Sequence, residues 1–144
     1  MKKSVLFMSA VLLVTSTMVF ASSLQSLNKA QVIKTLQGKT ITTIPLITLD
    51  HQMVTNTFTG YFDKNGQIQG QLSSKPENAP QNDQGVWTVK SDGKLCNTWK
   101  NWDQGKPICV TMYKLNNGIL FINEDKKLET LILNENIVDG NHVS

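Results

Sequence analysis

The fold is decided by one stretch, residues 85–113, which reads GVWTVKSDGKLCNTWKNWDQGKPICVTMY. Two segments rich in β-branched and aromatic residues, 85–90 and 94–99, flank the turn residues Ser91-Asp92-Gly93. A third such segment begins at Ile108. Short segments of this kind, separated by tight turns, are typical of consecutive antiparallel strands. The stretch therefore predicts three neighbouring strands at the centre of a sheet.

The two cysteines of the chain, Cys96 and Cys109, lie one in each of the last two of these segments. Their separation is too wide for a C-x-x-C redox or metal motif. In an oxidising compartment, an even pair of cysteines indicates a disulfide. We therefore predict a bridge between two adjacent strands, which closes the hairpin whose loop carries residues 101–107.

The rest of the chain extends the same pattern in both directions. A single helix is predicted over residues 26–38, with Ser26 as its N-cap and Gly38 just past its end. Residues 73–84, which contain Pro76 and Pro80, form the longest predicted loop. Further strands are predicted at 39–47, 53–62, 67–72, 119–122 and 128–133, before a closing strand fragment and a tail. The fold class is mainly β: an antiparallel meander of about eight strands curled into a small barrel, with one N-terminal helix.

Several short motifs resemble a pattern found in small exported bacterial proteins of an uncharacterised, domain-of-unknown-function type. The central motif is Gly85-x-Trp87, then Asp92-Gly93-x-Leu95-Cys96-x-x-Trp99, then Cys109 followed by Tyr113. Supporting motifs are Leu36-x-Gly38-Lys39-Thr40, Gly60-Tyr61-Phe62 with Asn65-Gly66, and Asp139-Gly140-Asn141. The resemblance implies a calycin-like β-barrel or strongly curled sheet with one disulfide, and it implies no activity.

The N-terminus carries the pattern of an export signal. Lys2 and Lys3 precede a nearly unbroken apolar run over residues 5–14, and Val19 and Ala21 are small enough for a cleavage site. The apolar run is shorter than the roughly 20 residues that a membrane-spanning helix needs. We expect residues 1–21 to be a signal peptide that is removed, leaving a single domain over 22–144. The expected location is periplasmic or secreted, with no stable membrane anchor.

The net charge and the absence of arginine disfavour nucleic acid and specifically recognised anions as partners. The chain has 14 lysines, no arginine and 11 acidic residues, a net charge of +3. Removal of Lys2 and Lys3 with the signal leaves 12 lysines against 11 acidic residues, a net charge of +1. A near-neutral chain is a poor binder of nucleic acid, and lysine cannot replace the bidentate arginine fork that captures carboxylate or phosphate. Nucleic acid is therefore not an expected partner.

Catalytic and metal motifs are missing from the sequence. His51 and His142 are the two histidines, and neither has a catalytic partner at a recognisable spacing. Residues 63–66 begin like a calcium loop but lack its later acidic ligands. We therefore expect no catalytic residue, no metal site and no cofactor.

Three tryptophans fall close together in the central stretch. Trp87 lies within a strand and is expected to pack in the core. Trp102, in a polar loop, is expected to have little core to enter, which leaves two interpretations. It packs within its loop, or it contacts a ligand or partner, in which case Trp102→Ala would leave thermal stability nearly unchanged. The expected ligand or partner site is this loop with the adjacent strand: Trp99, Asn101, Trp102, Asp103, Gln104 and Tyr113.

These observations favour an exported, non-enzymatic domain that binds a small apolar or amphipathic ligand at one end of the barrel. An alternative is a protein-interaction module or inhibitor that acts through loop 73–84 or 101–107. A small hydrolase is less favoured, because no nucleophile and base can be paired. An internal cavity would favour the first class, whereas a filled barrel with exposed tryptophans would favour the second.

We predict that the exported protein begins at Ser22, because Val19 and Ala21 satisfy the small-residue requirement of signal peptidase. Intact-mass analysis of protein recovered from the cell envelope or the medium would test this. A mass that still includes residues 1–21 would contradict the prediction.

Overall fold

The computed structural model describes residues 24–44 and 57–144. The predicted signal peptide and His51 lie outside these residues. The described part of the chain contains one α-helix and nine strands. The helix α1 spans Lys29–Leu36, and the strands are β1 Lys39–Thr42, β2 Phe58–Phe62, β3 Gln67–Leu72, β4 Asn82–Val89, β5 Leu95–Trp99, β6 Pro107–Lys114, β7 Gly118–Asn123, β8 Leu128–Leu133 and β9 Ile137–Asp139.

The nine strands form a single antiparallel sheet in the order β8-β7-β6-β5-β4-β3-β2-β1-β9. Each strand from β1 to β8 pairs with its neighbour in sequence, and β9 returns to pair with β1. Just beyond β1, the backbone N–H of Ile44 donates to the carbonyl of Leu131 in β8 at 3.0 Å, which brings the two sides of the sheet together. The predicted mainly β meander curled into a barrel-like sheet is confirmed, with the closing fragment forming the ninth strand.

The boundaries differ from the sequence prediction in two informative places. Strand β4 begins at Asn82, so the long loop after β3 covers residues 73–81. Residues 82–84, the last part of the predicted loop, belong to the sheet. The helix is capped by Asn28, whose side chain accepts from the N–H of Gln31 at 3.0 Å, while the Gln31 side chain accepts from the N–H of Asn28. This reciprocal capping box excludes Ser26 as the cap. Ser26 instead pairs with Tyr113 of β6.

The helix covers one end of the barrel, here called the closed end. Val32 and Leu36 have no exposed surface and join the main hydrophobic core. Next to them Phe62 and Trp87 pack edge to face, with ring centroids 5.5 Å apart. Trp87 is 6% exposed, and its indole N–H donates to the Asp63 carbonyl at 3.0 Å. The prediction that Trp87 packs in the core is therefore confirmed.

Loops 73–81, 100–106 and 124–127 gather at the opposite end, here called the open end. Near it, Gly60 and Gly70 lie directly opposite each other on β2 and β3. A Cβ atom at Gly70 would lie 2.6 Å from the Trp99 ring and 2.7 Å from the Trp102 ring. The pair of glycines thus makes room inside the barrel for large aromatic side chains from other strands.

The predicted disulfide is present between Cys96 of β5 and Cys109 of β6. The two residues face each other in the antiparallel register, with Cα atoms 4.1 Å apart. The bridge therefore fixes the strands on both sides of loop 100–106. A disulfide of this kind indicates an oxidising environment outside the cytoplasm.

We predict that Cys96→Ser lowers the free energy of unfolding by about 2–4 kcal/mol, because reduction releases the constraint on the unfolded chain. Urea denaturation of the variant and the oxidised parent would measure the difference. Alkylation of denatured, unreduced parent protein should label no thiol, and two labelled thiols would contradict the bridge.

Candidate functional site

A cavity of about 600 Å³ opens at the end of the barrel opposite the helix. Six strands, β1–β3 and β5–β7, contribute apolar side chains to its wall: Ile41, Phe62, Leu72, Leu95, Val110 and Phe121. Polar side chains from the loops and from β8 form its rim. The interior is therefore packed at the closed end and hollow at the open end.

Five of the six residues predicted for the binding site line this cavity. They come from the end of β5 and from the turn that follows it: Trp99, Asn101, Trp102, Asp103 and Gln104. The sixth, Tyr113, is not among the lining residues, because it lies at the other end of β6 where its backbone pairs with Ser26. The structure thus brings the loop residues together and leaves Tyr113 apart from them.

Phe58, Trp99 and Trp102 form an aromatic cluster on one side of the cavity. The Trp99 and Trp102 ring centroids are 4.7 Å apart, and Phe58 presents an edge-type contact to both indoles at 5.8 and 6.3 Å. Such tilted and edge-to-face pairs are favourable beyond their buried area. The aromatic cluster therefore makes a rigid wall for the cavity.

Trp102 departs from the sequence expectation. It is only 8% exposed, and its indole N–H donates to the Pro80 carbonyl at 2.8 Å. Gly70 on β3 leaves the space that the Trp102 ring occupies, and this space is not visible in the local sequence. The expectation that Trp102 has little core to enter is wrong, and a negligible stability loss on its truncation no longer follows.

Asp83 is the residue that the sequence analysis missed. Its buried carboxylate accepts the backbone N–H of Asn101 at 2.8 Å and that of Trp102 at 2.7 Å. The Asn101 side-chain amide and the N–H of Gln84 donate to its other oxygen, each at 2.9 Å. The signal that could have identified it is strand alternation, which places Asp83 on the same inward face of β4 as Trp87.

The surroundings of Asp83 favour its charged form. Burial of the carboxylate raises its pKa, but the hydrogen bonds from Trp102, Asn101 and Gln84 together lower it by more, so the pKa lies below its usual value. The ionised carboxylate therefore holds loop 100–106 against the end of β4.

The turn anchored in this way has an unusual backbone. Asp103, Gln104 and Gly105 follow one another with φ values of 52°, 57° and 70°. The left-handed conformation costs roughly 1–2 kcal/mol for a residue other than glycine, although aspartate tolerates it better than most. The hydrogen bonds to Asp83 immediately before the turn offset part of this cost. The result is a tight turn that places Asp103 and Gln104 on the rim of the cavity.

The charged residues among those that line the cavity are both acidic. Asp103 lies on the turn and Glu129 on β8, where the Glu129 carboxylate accepts a hydrogen bond from the Asn123 side chain. Partial burial raises the pKa of Asp103, and the negative charges of Glu129 and Asp83 raise it further. The described side chains of the lining therefore contribute negative charge to the rim.

One polar atom in the cavity wall has no partner. Asn97 lies on the inward face of β5 between Leu95 and Trp99, and all three residues line the cavity. Its Oδ1 atom is buried and accepts no hydrogen bond. A buried acceptor of this kind is normally satisfied by a water or a ligand donor.

The one histidine among the described residues, His142, lies outside the cavity lining. His142 lies in the C-terminal tail, where its backbone N–H donates to Thr40 on β1 and its ring nitrogen is 2.9 Å from the Asp139 carbonyl. Among the residues in 24–44 and 57–144, no group of three or more His, Cys, Asp or Glu side chains could hold a metal ion. No helix in these ranges is long and apolar enough to cross a membrane.

We predict that Asp83→Asn destabilises the protein by about 2–4 kcal/mol near neutral pH, because in either orientation the amide turns its NH₂ group toward two N–H donors. Because the pKa of Asp83 is lowered, its contribution is complete above the ordinary value of 3.8 and is lost as the pH falls through the folded-state pKa. Urea denaturation over a series of pH values should therefore show the variant and the parent converging in acid.

The matched control is Asp92→Asn, which alters an exposed carboxylate in the turn before β5 that accepts the N–H of Lys94. We expect this control to change the stability by less than about 0.5 kcal/mol. A constant difference between parent and Asp83→Asn at every pH would contradict the proposed role of the ionised carboxylate.

Comparisons with known proteins found no relative of this chain. No family model, curated protein or solved structure matches the chain. The geometry of the cavity and the chemistry of its rim are therefore the features that bear on function.

Proposed function

We propose that this protein is an exported, non-enzymatic binding domain that holds a small apolar or amphipathic molecule in the open-end cavity. The observation that carries the proposal is the cavity itself, about 600 Å³ with an apolar wall and a polar rim. Pockets for small ligands generally have volumes of about 300–1,000 Å³, apolar linings and a few polar groups that orient the ligand. An apolar chain would occupy the interior, and a polar head would remain among the rim side chains.

The position of the tryptophans supports this function over a protein-interaction module. Trp99 and Trp102 are 6% and 8% exposed, so neither offers a flat aromatic surface to a partner protein. The large apolar residues that are exposed within the described chain lie on separate segments: Leu24, Val86, Leu128 and Val138. Single exposed apolar residues of this kind are normal on a protein surface.

The cellular setting forms part of the same proposal. The disulfide supports export, and the predicted signal peptide would deliver the domain to the periplasm or to the medium. The resemblance to small exported bacterial proteins with a calycin-like barrel remains a prediction consistent with this setting. A binding domain there would carry or sequester a molecule that dissolves poorly in water.

Binding of the neutral fluorophore N-phenyl-1-naphthylamine tests the proposal. We expect a saturable rise in its emission, with energy transfer from the cavity tryptophans Trp99 and Trp102. Ile108→Trp should reduce this binding at least about tenfold, because Ile108 lines the cavity and a larger side chain would fill it.

The matched control is Thr111→Trp, on the alternate face of the same strand. Circular dichroism and thermal denaturation should show that both variants are folded, and the control should bind the fluorophore like the parent. Absence of saturable binding to the parent, or equal loss of binding in both variants, would overturn the proposed function.

A further inference from the structure

The charged side chains that line the cavity carry one sign of charge. Lysine is the more abundant charged residue in the chain, yet the described residues of the lining include two carboxylates, Asp103 and Glu129, and no lysine. The lysines of the open-end loops are exposed and lie outside the lining: Lys75, Lys100, Lys106, Lys126 and Lys127. The charged groups of the lining itself therefore favour a cationic head group over an anionic one.

The two carboxylates are close enough to influence each other electrostatically, although they come from different elements. Asp103 is held by the left-handed turn, and Glu129 is held by β8 and by its hydrogen bond from Asn123. Two like charges that line one cavity repel each other, and a cation near both of them would relieve the repulsion. This arrangement favours a positively charged ligand beyond the effect of either carboxylate alone.

Two features of the wall agree with this preference. Trp99 and Trp102 line the same cavity as Asp103, and aromatic rings attract cations that approach their faces. The unpartnered Asn97 Oδ1 is an acceptor, so it requires a donor rather than another acceptor. A carboxylate or sulfate head would satisfy neither feature.

We propose that the ligand of this cavity is a cationic amphiphile, an apolar chain with an ammonium-type head held between Asp103 and Glu129. This inference rests on the proposed binding function and specifies the chemistry of its ligand. The apolar part lies against the interior walls, and the ammonium donates hydrogen bonds to the two carboxylates at the rim. The same charges disfavour fatty acids and other anionic lipids.

Displacement of N-phenyl-1-naphthylamine by three probes of equal chain length tests the inference: decylamine, which is protonated at neutral pH, 1-decanol and decanoate. We expect decylamine to displace the fluorophore at a concentration at least about tenfold lower than decanoate, with 1-decanol between them. The preference should weaken at high salt, because Asp103 and Glu129 are at the exposed rim.

The double variant Asp103→Asn with Glu129→Gln should abolish the difference between decylamine and decanoate while retaining affinity for 1-decanol. Asparagine suits position 103 because it tolerates the left-handed backbone. The matched control is Asp125→Asn with Glu135→Gln, which makes the same change in net charge at exposed residues outside the cavity lining. This control should keep the preference of the parent.

The possible outcomes separate the two proposals. If 1-decanol displaces the fluorophore but decylamine and decanoate do so equally, or if the double variant keeps the preference, the cationic head is wrong and the binding function stands. If the fluorophore itself shows no saturable binding, or none of the three probes displaces it, the binding function is wrong and the inference falls with it.

Discussion

The buried carboxylate of Asp83 is the interaction on which the open end of the barrel depends. It accepts the N–H groups of Asn101 and Trp102 and so holds the start of the turn that follows β5. These hydrogen bonds fix the residues that immediately precede the left-handed Asp103 and Gln104. Together with the hydrogen bond from the Trp102 indole to the Pro80 carbonyl, they place Trp102 in the wall and Asp103 on the rim.

Asp83 can hold loop 100–106 in this position because the barrel interior next to it has space for the aromatic rings. Gly70 lies opposite Asp83 in the pairing of β3 with β4, and Gly60 lies opposite Gly70 on β2. Three rings fill the volume that side chains at these positions would otherwise take: Phe58, Trp99 and Trp102. The aromatic cluster is therefore a consequence of small residues on two strands and of a loop that folds inward over them. Below it, apolar side chains of moderate size leave the cavity unfilled.

Local patterns were sufficient to predict most of the fold. Asn65-Gly66 and Asp92-Gly93 mark turns, alternation identifies the inward face of β2, and the strand positions of Cys96 and Cys109 indicate the bridge between them. The environment of Trp102 could not be predicted, because the glycine that accommodates its ring, Gly70, is more than 30 residues away in sequence. The role of Asp83 was missed for a similar reason. The prolines that precede it favour a loop, and its hydrogen-bond partners lie in loop 100–106, which follows β5. Sequence patterns report periodicity and turns, whereas these two features depend on long-range packing.

The way the open end is held bears on what the cavity is for. Apolar walls without neighbours forgo the dispersion contacts that stabilise a packed interior, and a small domain has little stability to spare. The disulfide between β5 and β6 and the charged hydrogen bonds of Asp83 both act beside the void, and together they fix its wall and rim. A site fixed in advance loses less conformational entropy when a ligand binds. The rigid elements around the cavity that the described residues form therefore agree with the proposed ligand-binding function.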